Sequence, residues 1–255
     1  MLALAYEGHS YSESSRSNPS WFRAQRRKAQ PVCDNGKNRM KKYITELIGA
    51  FFLVLTIGMS VTNNDPMSPL AIGFGLSALV YMGGHISGAH YNPAVTLGFL
   101  LAGGVQRKDV APYMAAQVVG SFLASTCVYF ISGQTFAPIP NPEYQLHYVL
   151  LSEFLFTFLL MLVILNVAMS QRTRGNAYYG IAIGLTVTAG IVAVGDISGA
   201  VFNPAVALGP IIIDVMANSG PVSSIWIYIL APVSGAVAAV PIFRAQETER
   251  SDDSG

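Results

Sequence analysis

Six long apolar runs alternate with short polar segments along this chain, at roughly 43–62, 69–86, 111–132, 148–169, 177–195 and 222–243. Each is close to the ~17–25 residues that a helix needs to cross a bilayer, so the pattern predicts six transmembrane helices. Two further apolar runs follow Asn92 and Asn203, each of about ten residues and too short to cross. Their placement, between spans two and three and between spans five and six, predicts two re-entrant half-helices. Irregular backbone at membrane depth is tolerated only where protein buries it or where it lines a watery cavity. The turns at Gly88 and Gly199 therefore predict a pore or binding site between them.

The two short runs open on the same phrase. Ser87-Gly88-Ala89-His90-Tyr91-Asn92-Pro93-Ala94-Val95 returns 111 residues later as Ser198-Gly199-Ala200-Val201-Phe202-Asn203-Pro204-Ala205-Val206, and both copies continue to a Leu-Gly, at Leu97-Gly98 and Leu208-Gly209. Asn before Pro is the grammar of a helix start: Asn caps the first free N–H groups, and Pro at the first helical position has no N–H to lose. A helix that starts in apolar surroundings turns its positive dipole end toward something. Spans one and four also match, as Ile44-Thr45-Glu46-Leu47-Ile48-Gly49 and Leu151-Ser152-Glu153-Phe154-Leu155-Phe156, each with one carboxylate in an apolar helix. Intramembrane acids are costly. Two readings stand for Glu46 and Glu153: acceptors for backbone N–H groups of the re-entrant loops, or members of a proton relay.

Composition agrees with an integral membrane protein, since 52% of the 255 residues are hydrophobic and only 11% are charged. The net charge of +1 gives no argument for a nucleic-acid partner. Placement of charge says more. Nine of the fifteen Lys and Arg residues precede the first span, and pairs follow at Arg107/Lys108, Arg172/Arg174 and Arg244/Arg250. The loops around 63–68, 133–147 and 196–221 hold none. The positive-inside rule then puts both termini in the cytoplasm and the half-helices on opposite sides; the plasma membrane is the expected location. Three spans per half invert the second copy against the first. The predicted organisation is a disordered basic cytoplasmic tail over 1–39, a channel domain over 40–243 with repeats at about 40–132 and 148–243, and a cytoplasmic tail over 244–255.

The six spans, the two Asn-Pro-Ala boxes, Glu46 and Glu153, Tyr113/Ala116/Gln117/Gly120 in span three and Pro232/Gly235 in span six resemble the aquaporin and glycerol-facilitator (major intrinsic protein) family. The resemblance implies an all-α membrane fold, a homotetramer in the lipid bilayer with one pore per subunit, and no cofactor. It also implies pore donors at Asn92 and Asn203, within the boxes Asn92-Pro93-Ala94 and Asn203-Pro204-Ala205, and acceptor carbonyls at Gly88, Ala89, His90, Gly199, Ala200 and Val201. Most family members carry an Arg just after the second box, where this chain has Val206. Spacing from the boxes assigns the other filter positions to Ile72, Ile191 and Ala200. Four apolar side chains there would form a ring poor in hydrogen-bond donors, open to water or to a small neutral solute such as glycerol, urea, ammonia or hydrogen peroxide.

Alternatives remain at this point: a proton-coupled transporter, or a junctional or scaffolding protein that conducts nothing. The chain has no nucleophile-base pair with an orienting group and no phosphate-binding loop, which argues against an enzyme. His85 and His90 flank the first turn, either as satisfied hydrogen-bonding posts or as pH-sensing gates. Asp196 is expected to fix the turn before the second box. Cys33 and Cys127 are expected at different depths, hence unbridged, with Cys127 a small packing residue. Gly120/Ala124, Gly180/Gly184 and Gly235/Ala239 suit close helix crossings.

Overall fold

The computed structural model describes residues 36–247. Most of the expected basic tail, with Cys33, and the residues after Glu247 lie outside them; the last four residues of that tail, 36–39, are instead the first turn of a helix that runs on into the first span. The described residues form eight helices joined by short irregular segments: α1 (Gly36–Thr62), α2 (Ser68–Gly83), α3 (Pro93–Ala102), α4 (Arg107–Ser132), α5 (Leu146–Ala168), α6 (Tyr179–Ser198), α7 (Pro204–Asn218) and α8 (Ile225–Glu247). Five of them, α1, α4, α5, α6 and α8, are long and apolar enough to cross a membrane.

The second expected span is shorter than its apolar run suggested. Helix α2 has 16 residues, held at its start by Pro69. Gly84, Ser87 and Gly88 still donate to Val80, Gly83 and Gly84, so helical turns carry the path on to Gly88, about 30 Å in all at ~1.5 Å per residue. The last of this polar-tipped run is spent on reaching the first re-entrant loop. Helix α7 differs in the other direction: it runs for 15 residues against the ten of α3, because Pro210 does not end it and Ser219 closes it in the left-handed conformation, with its N–H on Val215.

Hydrogen bonds between elements sort the helix ends onto two faces. Tyr43 donates to Asp109, Tyr81 to the Ala177 carbonyl, Ser170 to Glu247, and Arg244 to the Leu101 carbonyl. These bonds gather both described chain ends, the start of α4, the free carbonyl end of α3 and the 169–178 loop on one face. On the other, Thr135 donates to Asp214 and Asn141 to the Asp196 carbonyl. The described Lys and Arg residues all belong to the first face, while Asp65, Glu143, Asp196 and Asp214 lie in the segments of the second. Arg244 puts a cation at the negative end of α3, the favourable sense for a helix dipole.

The two halves pack as inverted copies. A Cβ on Gly120 would overlap the Leu47 carbonyl of α1, and one on Gly235 would overlap the Phe154 carbonyl of α5 in the same way. At the seam between halves, α2 lies on α6 with matched residues facing each other. A Cβ on Gly73 would overlap Thr188 and the Gly184 carbonyl; one on Gly184 would overlap Ser77 and the Gly73 carbonyl. Gly73 and Gly184 are 111 residues apart, as are Ser77 and Thr188, the same interval that separates the boxes. A contact in which i meets j and j meets i is the mark of a two-fold relation, here within one chain.

Candidate functional site

Each re-entrant loop leaves its helix, reverses, and starts a half-helix within six residues, which forces unusual backbone. Gly88 and Gly199 take φ +93° and +87°, a region open to glycine. Ala89, Tyr91, Ala200 and Phe202 follow at φ of 51°, 48°, 51° and 52°. A left-handed residue that is not glycine costs about 1–3 kcal/mol unless its surroundings fix it.

The surroundings here are the two buried glutamates. Glu46 accepts from the Ser87 hydroxyl (2.6 Å), the N–H groups of His90 (3.0 Å) and Tyr91 (2.7 Å), and the Gln117 amide (2.8 Å). Glu153 accepts from the Ser198 hydroxyl (2.7 Å) and the N–H groups of Val201 (2.9 Å) and Phe202 (2.7 Å). Ser87 and Ser198 each also accept their own loop's next free N–H, from Ala89 and Ala200. Tyr113 and Tyr228 close the outer turn of each loop by donating to the carbonyls of Ser87 and Ser198, both at 2.7 Å.

The half-helices meet N-terminus to N-terminus. Asn92 caps α3 by accepting from the N–H groups of Ala94 and Val95, and Asn203 caps α7 by accepting from that of Ala205. Their amides then cross over. Asn92 Nδ2 donates to the Phe202 carbonyl and Asn203 Nδ2 to the Tyr91 carbonyl, both at 2.9 Å. Each amide keeps one N–H beyond that bond.

The loop carbonyls fall into two sets. Those of Ser87, Tyr91 and Asn92, and of Ser198, Phe202 and Asn203, all accept protein hydrogen bonds. Between them, the carbonyls of Gly88, Ala89, His90, Gly199, Ala200 and Val201 have no protein donor among the described residues. Buried carbonyls left this way need a partner from elsewhere. All six residues line one cavity of about 970 Å³, together with Asn92 and Asn203.

The same cavity is lined by Ile72, Ile191, Ala200 and Val206, so the four residues assigned by spacing to a filter share its wall. Other lining residues had no signal in the sequence pattern. Phe136, Ala137 and Pro138 enter from the irregular segment after α4, and Ser170, Gln171, Arg174, Gly175 and Asn176 from the loop after α5. Neither segment has a periodicity to read; the prolines at 138, 140 and 142 mark the first only as a loop.

The remaining candidates fall in different places. His90 is buried, its ring stacked on Phe99 at 4.3 Å with Nδ1 3.1 Å from the Thr96 hydroxyl, while His85 is exposed at the cavity's basic-face end. Asp196 does not hold the second box. Its carbonyl accepts from Asn141 and its carboxylate lies 3.5 Å from the Tyr144 hydroxyl, so it ties down the segment before α5 instead. Cys127 is a free, half-buried thiol in α4. Glu46 and Glu153 are absent from the cavity wall.

The family described as major intrinsic protein matches residues 35–243. The chain is 39% identical over 209 residues to Aquaporin NIP1-1 of Oryza sativa subsp. japonica, covering 78% of this chain and 72% of that protein. It is 34% identical to Glycerol uptake facilitator protein-like 6 of Lactiplantibacillus plantarum, covering 82% of this chain and 100% of the other. Among solved structures, the X-ray structure of the aquaglyceroporin from Plasmodium falciparum superposes with a TM-score of 0.72 at 24% identity, over 80% of this chain and 95% of that one, a likeness of fold.

Proposed function

The chain belongs to the major intrinsic protein family, and from that premise we propose that it is a passive pore for water and small uncharged solutes, selected by an apolar filter. One observation carries the reading: six loop carbonyls without protein donors and two half-used asparagine amides line one continuous cavity. A file of water or polyol molecules needs such a stripe of acceptors with donors midway. Two opposed helix N-termini at the same level raise the cost of a cation there.

Ile72, Ile191, Ala200 and Val206 form the filter in this reading. They offer no donor and no charge, which favours a solute with an apolar face of its own, such as glycerol or urea. The loop-stabilising role of Glu46 and Glu153 is favoured over a proton relay, because their bonds go to loop donors and neither side chain lines the cavity. The basic residues of the face that holds both described ends support a cytoplasmic orientation for that face. Homotetrameric assembly in the plasma membrane completes the proposal.

The filter is tested by Val206→Arg. Stopped-flow fluxes of water, glycerol, urea and ammonia into proteoliposomes are expected to show glycerol and urea permeation in the wild type, cut at least about tenfold by the new guanidinium. Such a loss corresponds to about 1.4 kcal/mol of added barrier. Water permeation alone in the wild type, unchanged in the variant, would contradict the filter assignment.

A further inference from the structure

The segment that follows α4 is strung between α7 and α6 on the acidic face and is pinned at both ends. At one end the Thr135 hydroxyl donates to Asp214 Oδ1 of α7 (2.6 Å), and the Asn218 amide donates to the same oxygen and to the Thr135 hydroxyl, both at 2.9 Å. At the other, Asn141 donates its backbone N–H to the Ile197 carbonyl (3.2 Å) and its side-chain amide to the Asp196 carbonyl (3.0 Å), near the close of α6. Between the pins, Phe136, Ala137 and Pro138 line the cavity, whereas Thr135 and Asp214 do not.

The Phe136 ring has a defined seat. Its Cε1 and Cζ lie so close to Gly58 of α1 that a Cβ on that glycine would come within 2.7 Å of both. Gly58 stands four residues before the end of α1 at Thr62, and Ile72 four residues after the start of α2 at Ser68, each about 6 Å in from the acidic face at ~1.5 Å per residue. The ring therefore lies at the level of Ile72. Ala200 and Val206 are short side chains, and an aromatic at this level adds to the conduit wall the bulk that they lack.

We propose that Phe136 is a fifth wall of the filter and sets the width of solute that passes, with the bond from Thr135 to Asp214 as the latch that positions it. The proposal rests on the channel reading above and names the residue that limits solute size within it. A phenyl face makes an apolar contact, so it takes the C–H edge of a polyol and leaves the hydroxyls to the carbonyls of Gly199, Ala200 and Val201. Segments that act on ligands do so from a rigid scaffold, and here the scaffold is the pair of helices that hold Thr135 and Asn141.

Proteoliposomes carrying the full chain, Phe136→Ala, Phe136→Trp or Asp214→Ala are compared for stopped-flow fluxes of water, glycerol and erythritol. Phe136→Ala is expected to raise the erythritol-to-glycerol ratio about tenfold, the low end of what a small change in one apolar pocket discriminates. Phe136→Trp is expected to lower the glycerol-to-water ratio by a like factor. Ratios are the readout because a variant that merely loosens the fold, or inserts in smaller amount, scales every flux together. Asp214→Ala, off the conduit wall, is expected to move the erythritol-to-glycerol ratio in the direction of Phe136→Ala, by less. Should Phe136→Ala fail to fold, Phe136→Leu takes its place. A shift of either ratio in the Phe136 variants supports the fifth wall; ratios unchanged in both overturn it, and a wild-type ratio in Asp214→Ala overturns the latch. Failure of the channel reading looks different, since the wild type then passes no solute faster than empty vesicles do. In that case Phe136→Ala must admit glycerol for the proposal to stand, and a variant as tight as the wild type overturns it.

Discussion

Glu153→Leu is expected to yield a chain that fails to fold around its second re-entrant loop, with no solute flux above that of empty vesicles. The N–H groups of Val201 and Phe202 lose their acceptor inside the bilayer, while the Ser198 hydroxyl retains only the Val194 carbonyl at 3.5 Å. Each orphaned donor costs about 1–3 kcal/mol. The left-handed turns at Ala200 and Phe202 lose what holds them, at a further ~1–3 kcal/mol each. Together these approach the ~5–15 kcal/mol of net stability that a folded domain has. Glu153→Gln keeps one acceptor oxygen and strands one backbone N–H, so a loss of about 2 kcal/mol and a fall of roughly 4–8 °C in Tm is expected. Thermal unfolding in detergent and vesicle flux together check the order: wild type, then Gln, then Leu. A Leu variant that melts within a degree or two of wild type would remove the carboxylate from its supporting role.

Gly184→Ala is expected to cost about 3 kcal/mol, the upper end of the overpacking range, although it adds a single methyl group to a helix. That methyl would overlap the Gly73 carbonyl, which is backbone and cannot swing aside, and the Ser77 hydroxyl. The two helices must separate, and with them the two halves of the conduit wall. Gly73→Ala is expected to cost a similar amount, since it meets the Gly184 carbonyl and Thr188. The pair should be less damaging than the sum, because the first substitution already opens the seam for the second. Gly195→Ala in the same helix supplies the contrast. Its Cβ would meet only Ile191 at 3.8 Å, an ordinary contact, so stability should hold or rise by about 0.5–1 kcal/mol. Melting curves for the four variants separate helix propensity from helix approach.

What could be read from the sequence was whatever is written locally. Asn92-Pro93 and Asn203-Pro204 specify helix starts by the chemistry of adjacent residues, and both caps form as that grammar requires. The repeat and the isolated glutamates were likewise legible, since an acid in an apolar run stands out without any knowledge of its partner. The crossing of the Asn amides onto the facing loops was not, because it joins residues more than a hundred positions apart. Helix α2 is shorter than its apolar run because such a run does not record where its tip stops being helix and becomes loop. Phe136–Pro138 and Ser170–Asn176 escaped for a different reason: irregular segments reach the cavity by tertiary placement, and no period of two or 3.6 marks them.

The seam of α2 on α6 has a consequence for how such a chain could arise. Residues that face their own counterparts form a surface that two separate half-length polypeptides could share, provided one enters the bilayer upside down relative to its mate. An ancestor of that kind would have to tolerate both insertion senses, hence carry little charge bias. Tandem fusion removes that constraint, and each half is then free to acquire the lysines and arginines that commit it to a single orientation.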